Sequence, residues 1–333
     1  MKRILVILTV IGTLCVAAWF GWAAFSKRAI ENWFAARLAE GWQVAADEIT
    51  VSGFPSTFET RLTGLMLADP ATGLAWTAPE FTLRYPSWDL SRITAIWPPS
   101  HMIASPDERL TISAERLSST LDVRPSARMA LDASQTRMQG LSIASSLGWQ
   151  SQLAQGQIDM IRQTGAAARY DMRFSANDLV PAEQVAKLLD PAGVLPQAIP
   201  VVSATALVDF DRPWDIGAIE DIRPQPTRID LSEARAEWGA LMLRLSGMLD
   251  IDAEGRPTGE IAIRAQNWPE MLAMAERAGL LPPGLRPTAE SALGFLAGLS
   301  GRREDLDVTL RLDQGFVFLG PLPVGEGPRI RLR

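Results

Sequence analysis

An uncharged apolar run near the start of the chain, residues 4–25, constrains this protein more than any other feature. As a helix it would be about 33 Å long, and the hydrocarbon core of a bilayer is about 30 Å thick. Ile4 opens the run, and Trp19, Phe20, Trp22 and Phe25 lie at its end, where aromatic rings suit the lipid–water interface. We therefore expect these residues to form a retained membrane anchor. The alternative is a cleaved signal, whose apolar stretch is usually only about 7–15 residues long.

The charges around this run bear on its orientation. Lys2 and Arg3 precede it and Lys27 and Arg28 follow it, so the tendency of basic residues to stay cytoplasmic gives little direction. Almost all of the chain lies after the run, and an N-terminal segment of this kind normally leads to export of the residues after it. We expect a single-pass protein of a bacterial inner membrane, with the bulk of the chain in the periplasm.

Composition excludes one class of partner and one source of stability. The net charge is −6, so there is no excess of basic residues to neutralise phosphates, and nucleic acid is not an expected partner. Cys15 is the only cysteine and lies within the apolar run, so no disulfide can form within the rest of the chain. The body of the protein must be stabilised by burial.

Alternation of polar and apolar residues dominates the chain after residue 43. It is clear at Phe81, Leu83 and Tyr85, and again at Leu110 and Ile112. Such alternation is typical of antiparallel strands with one apolar face. The expected fold is mainly β, or β-rich α+β. A transmembrane helix would be followed by a large curved antiparallel sheet with a few short helices, forming either an open trough or a closed sandwich.

Local signals add helices and strands to this outline. Pro181 and Pro191 bracket a short helical pattern, while Asn267 and Thr288 stand where helix caps are favoured. The resulting expectations are strands over residues 201–210, 227–238, 241–251, 259–265, 306–312, 316–319 and 329–332, and helices over residues 268–278 and 288–300.

The same signals predict the division of the chain. Residues 1–27 form the anchor with a short cytoplasmic end, and residues 28–42 form a juxtamembrane helix that Gly41 ends. Residues 43–333 form a periplasmic β-rich domain, in which two halves would meet near residues 190–225.

Several short motifs together resemble a known but uncharacterised family. They are Gly53-Phe54-Pro55, the segment from Trp76 to Pro79, Trp97-Pro98-Pro99, Gln266-Asn267-Trp268-Pro269 and Gly320-Pro321-Leu322-Pro323. Together they resemble the single-anchor envelope family of alphaproteobacteria catalogued as domain-of-unknown-function family 2125. The resemblance covers nearly the whole chain and implies no catalytic residues, because the family has no established activity.

A second likeness is to the AsmA-type proteins of Gram-negative envelopes. It rests on alternating Leu243, Leu245, Gly247 and Leu249, followed by a turn and by alternating Ile261 and Ile263. What the resemblance implies is a curved sheet whose apolar concave face holds lipid chains. Hairpins of this pattern are common among β proteins, so the likeness is one of association.

Catalytic motifs are missing from the sequence. A Ser-His-acid triad or a histidine metal site needs imidazole, and His101 is the only histidine. Neither a Gly-x-Ser-x-Gly elbow, a P-loop nor a dinucleotide fingerprint occurs. Three carboxylate pairs could serve as acid and base or bind a cation, although strands with a wet face show the same spacing. These pairs are Asp209 with Asp211, Asp250 with Asp252, and Asp305 with Asp307. We expect no catalytic residue, no metal ligand and no cofactor.

Tryptophans are spread through the body, and we expect most of them to pack in the core, because large aromatic residues are heavily buried on average. The set is Trp76, Trp88, Trp97, Trp149, Trp214, Trp238 and Trp268.

Coverage of the apolar strand faces leads to the functional expectation. A few helices cannot cover so many strands, so the sheet must close on itself or hold a ligand. We expect a non-enzymatic envelope protein that binds or passes phospholipid or another envelope lipid along an apolar groove. The candidate lipid-facing residues are Leu243, Leu245, Leu249, Ile261 and Ile263. The alternative is a structural scaffold with a closed β core that recruits other envelope proteins.

Overall fold

The computed structural model describes residues 2–279, 284, 286–299 and 304–332, with backbone only at residues 2, 4–8, 296, 299 and 322. The helices are α1 (Lys2–Ala39), α2 (Glu183–Leu189), α3 (Gly217–Glu220), α4 (Trp268–Arg277) and α5 (Arg286–Leu299). The strands are β1 (Gln43–Ala45), β2 (Glu48–Ser52), β3 (Thr57–Asp69), β4 (Leu74–Pro86), β5 (Arg92–Ile96), β6 (Ser100–Ala104), β7 (Arg109–Ser113), β8 (Arg116–Val123), β9 (Leu131–Ser145), β10 (Gln150–Arg162), β11 (Arg169–Val180), β12 (Ile199–Phe210), β13 (Pro226–Trp238), β14 (Leu241–Ile251), β15 (Pro257–Gln266), β16 (Asp305–Asp313), β17 (Phe316–Leu319) and β18 (Leu322–Glu326).

These elements confirm the expected fold class, which is mainly β with antiparallel pairing and an N-terminal helix. The described residues fall into two compact units. Unit 1 comprises residues 1–125 and 141–148, and unit 2 comprises residues 126–140 and 149–333. The region near residues 190–225, where two halves were expected to meet, lies inside unit 2. It stays there because β12 pairs with β11 before it and with β13 after it.

Unit 1 is built around the long hairpin of β3 and β4. The short strands β1 and β2 both pair with β3, one along each half of its length. Strands β5 and β6 both pair with the other edge of the hairpin, on β4, each along a different part of its length. Strand β8 then pairs with β5, and strand β7 pairs with β6. One face of this hairpin carries the buried residues Leu62, Leu65 and Ala78.

Helix α1 packs on this buried face instead of standing apart from the strands. Ile30 and Phe34 pack against the cluster formed by Leu62, Leu65 and Ala78. The helix is continuous from Lys2 to Ala39, so the expected anchor and the expected juxtamembrane helix are one element. In the part of the chain that the structure describes, it is the one helix long and apolar enough to cross a membrane.

Unit 2 is a meander in which each strand from β10 to β18 is antiparallel to the next. One apolar cluster centres on Tyr170, which is fully buried beside Met160, Val208 and Phe210. A second cluster lies where α4 and α5 pack on strands β14 to β16 and includes Trp268. Part of one strand face is therefore covered by helices.

Several local expectations differ from the structure at their boundaries. Asn267 precedes α4 as expected but makes no side-chain cap. Its backbone is left-handed, and its side-chain amide donates to the carbonyl oxygen of Ala240 at 2.5 Å. Thr288 lies inside α5, which begins at Arg286, because proline is tolerated in a first helical turn.

The end of the chain also differs from its expected structure. Residues 329–332, expected to form a strand, are not one, and the last strand is β18. Instead the Ile330 amide donates to the carbonyl oxygen of Gly255 at 2.8 Å, and the Leu332 amide donates to the Gln225 side chain at 2.9 Å. Those hydrogen bonds satisfy the backbone of this segment without a ladder.

Candidate functional site

An apolar pocket of about 420 Å³ lies in unit 2, between the helices and the face of the meander. Leu243 on β14 and Ile263 on β15 form part of its floor. Trp268 and Met271 from α4 and Leu293 from α5 form part of its cover. The described side chains along its wall are all apolar, and its volume falls within the range of about 300–1,000 Å³ usual for small-molecule sites.

Strand register explains why the five candidate groove residues share one face. Leu245 lies opposite Ile263, Gly247 opposite Ile261, and Leu249 opposite Gly259. Directly opposed residues point to the same side, as do residues two apart along a strand. Leu243 and Ile263 line the pocket, Leu249 is buried, and Leu245 and Ile261 are half-buried along the same face. The structure thus brings two of the five into one pocket.

Two glycines let β14 and β15 approach each other closely along this face. Gly247 and Gly259 both have backbone angles in the region that favours glycine, with φ of 154° and 148°. A Cβ at Gly247 would overlap the carbonyl oxygen of Glu260, and a Cβ at Gly259 would overlap that of Met248. Larger residues at these two positions would force the strands apart.

The covering helices supply pocket residues that the sequence reasoning did not select. On α4, Trp268, Met271, Leu272 and Ala275 all line the pocket. Their spacing of three, four and seven residues places them on one side of the helix. The apolar side of α4 was visible in the sequence, but nothing local indicated which strands it would cover.

Five of the six carboxylates in the three candidate pairs have hydrogen-bond partners in the structure. In each of two pairs, one carboxylate bonds an arginine of the neighbouring strand: Arg169 Nε donates to Asp209 Oδ1 at 2.5 Å, and Arg228 Nη1 donates to Asp250 Oδ1 at 2.8 Å. The Arg169 hydrogen bond lowers the pKa of Asp209, so this carboxylate stays ionised and is a poor proton donor near neutral pH.

Three further carboxylates of these pairs hold turns or pair across strands. Asp211 accepts the Gln225 amide at 2.8 Å, and Asp252 accepts the Arg256 amide at 2.7 Å. Asp307 accepts from Arg264 Nε at 3.0 Å. Across the described residues, no group of three or more His, Cys, Asp or Glu side chains converges in a way that could hold a metal ion.

Comparison with protein families identifies the family of this chain. Residues 19–328 match a family model described as "Uncharacterized protein conserved in bacteria (DUF2125)". The chain belongs to this family. The DUF2125 match confirms the family resemblance drawn from the short motifs, whereas the AsmA-type likeness stays a prediction. No curated protein and no solved structure is significantly similar to the chain.

The DUF2125 match begins at Trp19, which is also the first buried residue of α1 among the side chains that the structure describes. Trp19 is only 7% exposed, and its ring stacks on Phe58 with centroids 5.1 Å apart. The other expected anchor aromatics, Phe20, Trp22 and Phe25, are exposed. The side chain of Ile4 lies outside the described residues. Of the four expected anchor aromatics, only Trp19 is buried against the strands, while Trp22 keeps a more distant ring contact with Phe58, at 6.4 Å between centroids.

His101, the one histidine of this DUF2125 chain, is buried among aromatic rings. It is 6% exposed on β6, and its ring centroid lies 5.5 Å from that of Trp97. Burial lowers its pKa, against the smaller opposing effect of a hydrogen bond with the backbone of Pro98. An imidazole packed between the rings of Trp76 and Trp97 contributes to the interior of unit 1.

Proposed function

We propose that this chain is a non-enzymatic, membrane-anchored protein of the bacterial cell envelope that binds a lipid acyl chain in the apolar pocket of unit 2. The single observation that carries the proposal is the pocket itself. All the wall residues that the structure describes have apolar side chains, which offer an acyl chain an environment like hydrocarbon and offer a polar ligand few hydrogen-bond partners.

Helix α1 supports this choice of ligand. A helix long and apolar enough to span a bilayer holds the chain beside a supply of acyl chains. The proposed arrangement is a single pass through the inner membrane with units 1 and 2 in the periplasm. The AsmA-type likeness of the β14–β15 hairpin points to the same ligand class.

The absence of catalytic motifs supports the non-enzymatic part of the proposal. Five of the six carboxylates that the sequence offered for acid–base catalysis accept hydrogen bonds from arginines or backbone amides. A carboxylate engaged in this way is not directed at a substrate.

A photo-crosslinking experiment tests the proposal. The full chain is placed in nanodiscs that contain a phospholipid with a diazirine in its acyl chain, and crosslinked peptides are identified by mass spectrometry. We expect crosslinks to α4 near Met271, in addition to those that bulk lipid makes with α1. Ala275→Phe adds a ring inside the pocket and should reduce the α4 crosslinks several-fold.

The matched control is Ala253→Phe, which adds the same ring at an exposed turn residue of the same unit. It should leave the α4 crosslinks unchanged. Crosslinks confined to α1 in the unmodified chain would contradict lipid binding and would favour the scaffold alternative, in which the apolar face is wholly internal.

A further inference from the structure

The free length of α1 sets how close unit 1 must lie to the membrane. Among the side chains that the structure describes, those of residues 9–18 are exposed and packing against unit 1 begins at Trp19, so at most residues 4–18 of the apolar run precede the packed part of the helix. Those residues span about 22 Å as a helix, against a hydrocarbon thickness of about 30 Å. Tilting the helix would shorten the span further. The helix is therefore about 8 Å too short to cross the hydrocarbon with these residues alone, which corresponds to about five residues. These five residues must belong to the part of α1 that is packed on unit 1.

The packing of α1 fixes which end of unit 1 is nearest the bilayer. Trp19 contacts Phe58 at the start of β3, and its indole nitrogen donates to the Thr57 carbonyl at 3.2 Å. Further along, Ser26 accepts from the Tyr85 hydroxyl at 2.8 Å. From Trp19 to Phe34 the helix advances about 22 Å, and from Phe58 to Leu65 the strand advances about 23 Å. Helix and strand therefore run side by side, with the start of β3 towards the membrane.

Exposed apolar side chains collect at this same end of unit 1. Phe54, in the turn between β2 and β3, is 48% exposed and lies against Phe20, with ring centroids 6.0 Å apart. Trp88, in the turn between β4 and β5, is 76% exposed, contrary to the core position expected of most tryptophans. Leu90 in that turn is also exposed.

Hydrogen bonds hold the two turns next to each other. The Ser87 amide donates to the Ser56 carbonyl oxygen at 3.0 Å, and the Ser87 hydroxyl donates to the Pro55 carbonyl oxygen at 2.9 Å. Trp88 and Phe54 are therefore presented by one end of the β3–β4 hairpin, beside the outward-facing aromatics of α1.

We propose that this end of unit 1, defined by Phe54, Trp88 and Leu90, is inserted into the headgroup region of the phospholipid bilayer that α1 spans. The surface lies beside the exposed aromatics of α1. Because the free part of α1 is shorter than the hydrocarbon thickness, a spanning helix would bring this surface into contact with the lipid. Aromatic side chains are favoured at this depth, where the ring is apolar and the indole nitrogen stays hydrated. Lys27 and Arg28, both exposed just beyond the aromatics, then lie at the level of lipid phosphates.

Collision measurements with a nitroxide spin label test this placement. The full chain is prepared with Cys15→Ser and with one new cysteine, from Trp88→Cys or Leu90→Cys, in nanodiscs of phosphatidylethanolamine and phosphatidylglycerol. The label's collision rates with oxygen, which concentrates in lipid, and with a water-soluble nickel complex are compared. The control is Ala71→Cys, an exposed residue in the turn between β3 and β4, about 40 Å away along the hairpin.

We expect the ratio of oxygen to nickel collisions to be several-fold higher at residues 88 and 90 than at residue 71. Equal ratios at the three positions would overturn the proposal. Labels at 88 and 90 shielded from both reagents would also overturn it, because they would indicate a protein partner on this surface. Both replaced side chains are exposed. An unchanged thermal unfolding midpoint in each variant would show that the fold is kept. The pocket of unit 2 plays no part in the measurement.

Discussion

The environment of His101 makes the stability of unit 1 depend on pH. The ring is buried against Trp97 and Trp76, and burial disfavours the charged imidazolium. Since the folded pKa is lowered from 6.5, the unfolded chain binds a proton more readily than the folded chain. The contribution of His101 to stability is therefore fully present above the unfolded pKa and is lost as the pH falls from that value towards the lower pKa of the folded state.

We predict that the thermal unfolding midpoint falls when the pH is lowered from about 7.5 to about 5.5, across the unfolded pKa of histidine. His101→Phe keeps an aromatic ring among aromatic neighbours and removes the titration, so the decline should be less steep. The measurement is circular dichroism of the full chain in detergent micelles at several pH values. An identical pH dependence in the two proteins would assign the effect to other groups.

At the scale of single elements, α1 has one side buried against unit 1 and another side that is exposed and apolar. Its first part has the composition of a membrane span, while Trp19, Ala23 and Ser26 are buried against unit 1. Near its end, Arg37 is buried and pairs with Glu40 at 2.8 Å. The helix is therefore part of the folded core of unit 1, and it is also long and apolar enough to cross a membrane.

Replacing one ring on the buried side of α1, and one on its exposed side, tests whether the helix is docked on unit 1 through Trp19. Trp19→Ala removes the stacked contact with Phe58 and the hydrogen bond to Thr57, and we predict a loss of about 3 kcal/mol of stability, as for other buried aromatics. Amide hydrogen exchange in residues 26–37 should become faster. Phe25→Ala, which removes an exposed ring of the same helix, is the control and should change exchange there only slightly. Equal effects would mean that α1 is not docked through Trp19.

The elements differ in how well the sequence predicted them. Hairpin β14–β15 and helix α2 were predicted correctly, since a period of two and a pair of prolines are local signals. The docking of α1 was not predicted. Lipid and protein interior are both apolar, so composition could not show that Trp19 faces β3 while Phe20 faces away.

The pocket was predicted only in part for a similar reason. Alternation correctly placed Leu243 and Ile263 on one apolar face. The cover from Met271 and Leu293 depends on contacts between elements far apart in the chain. A local pattern reports that a helix has an apolar side but does not report which strand that side meets.

At the scale of the whole molecule, the chain passes between the two units three times, at residues 125/126, 140/141 and 148/149. Residues 126–140 thus belong to unit 2 although they precede the last segment of unit 1. They are bound within unit 2 by the Leu131 amide, which donates to the Trp214 carbonyl oxygen at 2.7 Å, and by Arg162, whose Nε donates to Asp132 at 2.8 Å.

This division predicts different stabilities for two fragments. A fragment of residues 126–333 keeps the first part of β9, whereas a fragment of residues 149–333 loses Leu131 from the cluster around Tyr170. We expect the shorter fragment to be less stable by about 4 kcal/mol, from the lost apolar contact and hydrogen bonds together. Urea unfolding followed by tryptophan fluorescence gives the comparison. Equal unfolding midpoints would show that residues 126–140 add nothing to unit 2.

The docking of α1 also has a consequence for how the protein is made. The helix is synthesised before β3 and β4, and it supplies Trp19 and Ser26 to the interior that those strands complete. A peptidase that cut among the small residues near Ala18 and Ala24 would remove part of that interior. The interior of unit 1 is therefore complete only while α1 stays part of the chain.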